Sequence, residues 1–256
     1  MRPILKYPRT RHCQGSRFQH GDFDLDAAPW NELEGKHLVI EEKCDGANCG
    51  ISFDEDAKLL LQSRGHYLRG GPRERQFDHL KRWANENVDM LFDMLSNRYV
   101  LYGENLYAKH TFFYDALPNY FMEFDVFDTE ADEFLSTPRR RELIGKNLIS
   151  QVPVLHEGPV KSVKQLASMV SRSNFITENR KQNLLDAATK AGISEEQVLR
   201  ETDLDERMEG LYIKAEENGR VVGRYKFVRE SFTSAILDSE THWHDRTIIP
   251  NTLINI

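Results

Sequence analysis

A lysine stands at the end of a predicted strand, where a tight turn follows it. The run is Lys43-Cys44-Asp45-Gly46-Ala47-Asn48. A lysine amine is a nucleophile only after it loses a proton, and its ordinary pKa is about 10.4. Burial and nearby cations favour the neutral amine, whereas the carboxylates of Glu41, Glu42 and Asp45 favour the ammonium form. A nucleophilic lysine at this position therefore requires compensating positive charge.

Arg64, Lys214, Lys226 and a divalent cation that accompanies the nucleotide can supply that charge, and the two lysines lie on a predicted hairpin. Side chains alternate between the two faces of a strand, so Arg224 and Lys226 share a face. Tyr212 and Lys214 likewise share a face, and the Asn218-Gly219 pair predicts the turn between the two strands. One side of the hairpin is expected to be core and the other to face phosphate groups.

Six segments occur in a fixed order along the chain. They are Lys43 to Asn48, Ser63-Arg64-Gly65, Gly103-Glu104, Phe124-Asp125-Val126, Glu209 to Lys214, and Arg224 to Phe227. In this order they resemble the motifs of the covalent nucleotidyltransferase superfamily of ligases and capping enzymes. The RNA ligase 2-like branch is the most similar.

The resemblance implies a fold and a reaction. The expected fold is an α+β nucleotidyltransferase domain, an ATP-grasp-like ligase adenylation domain with antiparallel sheets flanked by helices. The expected activity is ATP-dependent RNA ligation. AMP would be carried on Lys43, passed to a 5′-phosphate end and displaced by a 3′-hydroxyl.

The resemblance also assigns roles to residues. The expected catalytic residues are Lys43, Asp45, Glu209 and Lys226. The expected ATP-binding residues are Glu42, Lys43, Asn48, Arg64, Glu104, Phe124, Lys214, Arg224 and Lys226. Within that set, Glu104 would hold the ribose, Phe124 would stack on the base, and Glu209 would act on Mg²⁺ through water, with Mn²⁺ as an alternative. Oxygen ligands of this kind suit a hard cation.

One position departs from the family pattern, and another leaves the choice between an RNA and a DNA substrate open. Arg224 stands where lysine is usual, and arginine is a planar fork rather than a point charge. Lys226 is therefore the better candidate for the essential cation. Asp45 occupies a position that is histidine in some RNA ligases and aspartate in DNA ligases, so it does not decide the substrate.

The elements that position these residues can be predicted from periodicity and turn signals. Strands are expected at 37–43, 49–53, 59–63, 99–104, 120–127, 210–215 and 221–228. Helical spacing covers 72–95, and Thr137-Pro138 is expected to cap another helix. A helical insert at about 160–204 would be broken near Asn174 and Gly192. We expect residues 1–256 to form a single domain, without a separate OB-fold or large C-terminal domain.

Bulk properties narrow the class of protein. The net charge of −7 among 256 residues argues against nonspecific coating of nucleic acid, although a focused cationic groove is compatible with it. No signal peptide or membrane span is expected. Three cysteines without a CxxC pair indicate a reduced, cytoplasmic protein. Cys44 is expected to be a small buried residue.

Several charged segments allow two interpretations. The acid-free N-terminal arm, with Arg9, Arg11 and Arg17 as candidates, either grips the 5′-phosphate strand or is an exposed basic tail. Arg139-Arg140-Arg141 is interpreted as a solvated helix face. His242-Trp243-His244 lacks a visible third metal ligand, which favours a structural or base-stacking role.

Two alternative functions compete with RNA ligation. One is a minimal ATP-dependent DNA ligase, and the other is a catalytically inactive nucleic-acid-binding relative. The expected partner is RNA or a nicked duplex with a 5′-phosphate, together with an end-healing kinase or phosphatase.

Overall fold

The computed structural model describes residues 3–18, 26–146, 149–232 and 247–254. Five strands in these ranges form a first sheet. They are β1 (Arg11–His12), β2 (Leu38–Lys43), β9 (Val154–Gly158), β10 (Gly210–Glu217) and β11 (Arg220–Val228). Their order is β1-β11-β10-β2-β9, and every pairing is antiparallel except that between β1 and β11.

A second sheet contains six strands of the described chain. They are β3 (Ala47–Phe53), β4 (Leu59–Ser63), β5 (Tyr99–Asn105), β6 (Phe121–Asp128), β7 (Glu133–Phe134) and β8 (Ser150–Gln151). The order is β4-β3-β5-β6-β7, with β8 parallel to β6. The lysine-bearing turn thus connects the last residue of β2 in the first sheet to β3 in the second.

Helices flank the sheets. The α-helices are α1 (Asp78–Glu86), α2 (Val88–Leu95), α3 (Thr137–Ile144), α4 (Val163–Ser168), α5 (Arg180–Lys190) and α6 (Glu195–Arg200), and 3₁₀ helices cover Trp30–Glu32 and Pro72–Phe77. The architecture is mixed α+β with antiparallel sheets, as the sequence predicted.

Strand alternation gives each sheet one largely apolar face. On the first sheet, Ile40, Leu211 and Ile213 point into a core that includes Leu166 of α4. On the second sheet, the outer face carries residues such as Ile51 and packs against α1 and α2. The remaining two faces meet each other, because side chains of β10 and β11 contact β6 across the gap. The polar residues of interest lie in this gap.

The predicted strands are confirmed within one or two residues at each end. The Asn218-Gly219 turn is confirmed as well, since both residues have positive φ, 52° and 78°. The long helical prediction at 72–95 was wrong in detail, because a 3₁₀ turn begins it and Asn87 divides the rest into α1 and α2. Ser136, and not Thr137, is the N-cap residue of α3. Thr137 instead donates both its amide and its hydroxyl to Glu216.

The insert at 160–204 contains the three short helices α4, α5 and α6, which confirms its helical character. The segment around Asn174 and the turn at Gly192 interrupt it where the sequence predicted. No helix in the described part of the chain is long and apolar enough to cross a membrane. All three cysteines are free and buried.

Candidate active site

Lys43 is the last residue of β2 and projects into the gap between the sheets. Its Nζ lies 2.7 Å from both carboxylate oxygens of Glu209, the residue that precedes β10. Burial by itself lowers the pKa of Lys43, but the adjacent carboxylate of Glu209 outweighs burial, so the pKa is raised. The nucleotide-free protein therefore holds Lys43 as an ammonium.

Gly210, the residue after Glu209, allows β10 to lie close to β11. A Cβ added to Gly210 would lie 1.9 Å from the carbonyl oxygen of Phe227 in the adjacent strand. Only glycine permits this approach of the two strands. The pairing of Gly210 with Lys43 across β10 and β2 then places the preceding carboxylate beside the lysine.

Glu104 lies near the same lysine from the second sheet. It pairs with Asn48 in the β3–β5 ladder, so two predicted ATP-binding residues stand side by side. Burial raises the pKa of Glu104 to about 8, and Lys43 and Arg64 oppose that rise. The structure thus brings Lys43, Glu104 and Glu209 together, as the sequence predicted.

Asp45 stabilises the loop that follows β5. Its Oδ2 accepts hydrogen bonds from the backbone amides of Thr111 and Phe112, both at 2.7 Å. Burial raises the pKa of Asp45, although these two amides and Lys43 favour the ionised form. The carboxylate therefore orients the turn after Lys43, and a direct catalytic role for it stays a prediction.

The pairing of β5 with β6 shifts register between Tyr102 and Gly103 of β5. Phe124 of β6 therefore has no partner residue in β5 and is the extra residue of a bulge. Its ring is 9% exposed and packs against two aromatic rings. Tyr7 contacts it edge-on at a centroid distance of 5.2 Å, and Tyr212 lies at 5.7 Å. A base could stack on Phe124 only after one of these neighbours moved.

Two of the predicted phosphate-facing cations have carboxylate partners of their own. Lys214 is buried and lies 2.9 Å from Glu41 and 3.6 Å from Asp125. Arg224 lies 3.1 Å from Asp125 and stacks over the ring of Phe134 at 3.5 Å. Both residues do share the inner face with Tyr212 and Lys226, as alternation predicted. Their binding to ATP stays a prediction.

Arg140 belongs to this buried charged cluster, so its interpretation as part of a solvated helix face was wrong. Its side chain is 1% exposed and lies 2.5 Å from Glu41 and 3.3 Å from Glu123. Only its neighbours are partly solvated, with Arg139 paired to Glu133 and Arg141 to Glu157.

Glu42 points to the face of β2 opposite Lys43. Its carboxylate accepts hydrogen bonds from the hydroxyl of Ser173 at 2.5 Å and from the backbone and side-chain nitrogens of Asn174 at 3.0 and 2.8 Å. Burial raises the pKa of Glu42 despite these donors. The contacts anchor the helical insert to β2, and an ATP-binding role for Glu42 stays a prediction.

The remaining predicted cations lie at the edges of the gap. Arg64 is exposed in the turn after β4, and Lys226 is half-buried opposite Tyr212. Their binding to ATP stays a prediction.

The N-terminal arm is not an exposed tail, because β1 pairs with β11. Within it, Arg11 binds Glu32 through two hydrogen bonds of 2.9 and 3.3 Å, and Arg17 donates to the carbonyl of Glu230. Arg9 is exposed. His242-Trp243-His244 lies outside the described residues.

The donor set near Lys43 fits a divalent cation only in part. Glu104 and Glu209 supply hard oxygen atoms, and burial raises the pKa of Glu104, an effect that a nearby cation would oppose. However, the described residues include no group of three or more His, Cys, Asp or Glu side chains placed to hold a metal ion. Such a cation would take most of its ligands from phosphates and water.

The two antiparallel sheets flanked by helices have the architecture of a nucleotidyltransferase-type ligase domain. Residues 36–228 match the RNA ligase family, and the chain therefore belongs to that family. No curated protein matches the sequence at a significant level.

Solved structures support the fold. A Naegleria gruberi RNA ligase variant with ATP and Mn is 17% identical to this chain, with a TM-score of 0.52 over 89% of this chain and 56% of that one. A second variant of that ligase, with AMP and Mn, is 16% identical, with a TM-score of 0.51 over 88% and 56%. The chain thus spans just over half the length of these ligases.

Proposed function

We propose that this protein is an ATP-dependent RNA ligase that joins 3′-hydroxyl and 5′-phosphate ends through a lysyl-AMP intermediate. The observation that carries the proposal is the convergence of Lys43, Glu209 and Glu104 in the gap between the sheets. Membership of the RNA ligase family, and similarity of the fold to ligase structures with ATP or AMP, support it.

The first step transfers AMP to the protein. The Lys43 amine attacks the α-phosphorus of ATP, a phosphorus–nitrogen bond forms, and the bond to pyrophosphate breaks. The lysine must first lose its proton, and Glu209 is the adjacent carboxylate at 2.7 Å. A divalent cation, Mg²⁺ or Mn²⁺, would neutralise phosphate charge and face Glu209 through water.

The next two steps act on nucleic acid. The 5′-phosphate oxygen attacks the adenylate, and the P–N bond to Lys43 breaks. The 3′-hydroxyl then attacks the activated 5′-phosphate, the new phosphodiester forms, and AMP leaves. Ends of other chemistry would need a kinase or phosphatase first.

Cations near the mouth of the gap would help to hold this substrate. Arg64 and Lys226 are the best placed to contact phosphates. Arg9 is exposed. Arg11 bonds to Glu32 and Arg17 to the carbonyl of Glu230, so phosphate contacts of these two residues would compete with those bonds. The three free, buried cysteines support a reducing, cytoplasmic location.

Retention of label from α-labelled ATP tests the first step. Wild type incubated with ATP and Mg²⁺ should retain label after denaturation, Lys43→Ala should retain none, and GTP should label poorly. Lys36→Ala is the matched control, because Lys36 is exposed just before β2. The proposal would be refuted if wild type retained label from neither ATP nor GTP.

Strand preference needs a separate assay. Nicked duplexes with RNA or DNA on each side of the break should be sealed best when the ends are RNA. Equal or better sealing of an all-DNA nick would favour the DNA ligase alternative.

A further inference from the structure

Arg140 is a buried arginine that connects both sheets from helix α3. One terminal nitrogen, Nη2, donates to Glu41 of β2 at 2.5 Å. The other, Nη1, donates to Glu123 of β6 at 3.3 Å and to the backbone carbonyl of Phe124. Removing an arginine from water is costly unless its donors find good acceptors. Here two carboxylates and a carbonyl accept from the two terminal nitrogens, whereas the buried Nε has no hydrogen-bond partner among the described residues.

The carbonyl of Phe124 is the most informative of these acceptors. Phe124 is the extra residue of β6, and an extra residue in a ladder loses part of its regular pairing. Its carbonyl accepts from Arg140 and also from the ammonium of Lys214. Two cations from separate elements therefore fix the backbone that carries the Phe124 ring.

The contact with Glu41 connects Arg140 to β2, the strand that carries Lys43. Glu41 shares a strand face with Lys43, two residues further along β2, and also binds Lys214 at 2.9 Å. The guanidinium of Arg140 thus restrains both β2, which carries the proposed nucleophile Lys43, and the β6 bulge, which carries the proposed base contact Phe124. A lysine at this position would keep the positive charge, but it lacks the planar guanidinium with which Arg140 reaches three acceptors.

We propose that Arg140 is a positioning residue of the adenylation reaction: by holding the Phe124 carbonyl and Glu41, it sets the distance between the base-binding bulge and Lys43. This inference rests on the proposed function, since it takes Phe124 as the base contact. Arg140 acts through other residues and touches no reacting atom.

The test measures lysyl-AMP formation as a function of ATP concentration in single turnovers. Arg140→Lys should raise the half-saturating ATP concentration about tenfold or more, because a small misplacement of binding groups is costly. Arg141→Lys is the matched control on the same helix. Arg141 forms a half-exposed pair with Glu157 at 2.9 Å, so the control should match wild type.

A merely structural role predicts a different result. Partial unfolding reduces the amount of protein that can be labelled, while the surviving folded molecules keep their normal ATP dependence. An unchanged half-saturating concentration in folded Arg140→Lys would overturn the proposal.

A second variant covers the case in which Arg140→Lys does not fold. Glu123→Gln keeps an acceptor for the guanidinium and loses one ion pair, so it should raise half-saturating ATP by a smaller factor. Wild-type behaviour of folded Glu123→Gln would then overturn the proposal. Failure of wild type to be labelled at all would instead refute the proposed function.

Discussion

Glu42 offers a direct choice between a structural and a nucleotide-binding role. The residue before Lys43 was expected to bind ATP, yet its carboxylate accepts three hydrogen bonds from Ser173 and Asn174 on the opposite face of β2. We expect Glu42→Ala to destabilise the protein and to leave ATP dependence unchanged. The physical reason is the loss of the anchor between β2 and the helical insert.

The magnitude follows from the contacts. Hydrogen bonds to a charged group contribute about 1.5–3 kcal/mol each, but burial already penalises the Glu42 carboxylate and raises its pKa. Removing it therefore relieves part of that cost. Asn174 is exposed and can bond to water, whereas Ser173 is buried and would lose its acceptor. The net loss in the free energy of unfolding should be about 2–3 kcal/mol.

Urea unfolding followed by circular dichroism measures this loss. Glu157→Ala is the matched control, because Glu157 lies in the neighbouring strand β9 and forms a half-exposed ion pair. Its loss should cost at most about 1 kcal/mol. Half-saturating ATP for lysyl-AMP formation should be the same in both variants. Unchanged unfolding of Glu42→Ala, with a raised ATP requirement, would refute this reasoning.

Three further predictions concern stability. Hydrogen bonds from Arg98 lower the pKa of Asp128, so its carboxylate stabilises the fold above its ordinary pKa and this stability is lost as the pH falls through the lowered value. Asp128→Asn should cost about 1 kcal/mol at pH 7, since Arg98 is partly exposed, and nothing in strong acid; an equal loss at both pH values would contradict this. Tyr7→Phe removes the hydroxyl that donates to Asp125 at 2.7 Å and should cost about 1–3 kcal/mol in urea unfolding; an unchanged midpoint would argue against that bond. Gly210→Ala should cost more than about 3 kcal/mol or yield insoluble protein, because its Cβ would meet a backbone oxygen at 1.9 Å; wild-type stability would disprove the close approach.

The motif residues were predictable because their spacing follows strand geometry. Alternation alone placed Lys214, Arg224 and Lys226 on one face, and the observed register pairs Lys214 with Arg224. Turn chemistry placed the hairpin at Asn218-Gly219. These are local rules that hold whatever the strand packs against.

Contacts between distant segments were not predictable in the same way. Tyr7 meets Asp125 across 118 residues of sequence, and no local pattern in the N-terminal segment indicates that partner. Arg140 is an intermediate case. Three successive arginines look equally solvated, but Thr137, Arg140 and Ile144 are the buried residues of α3, at the spacing of one helix face. That periodicity could have singled out the middle arginine.

The raised pKa of Lys43 changes where its activation must come from. Lys214 was expected to supply positive charge to the lysine, but it is paired with Glu41 in the buried cluster, where Arg224 is likewise paired with Asp125. Arg64 and Lys226 are the other two cations that the motifs predict for this site. Because Glu209 keeps Lys43 protonated at 2.7 Å, the protein without nucleotide stabilises the unreactive form of its proposed nucleophile. We therefore expect the reactivity of this proposed nucleophile to arise on nucleotide binding, through loss of the contact with Glu209 and its replacement by the cations that accompany the phosphates.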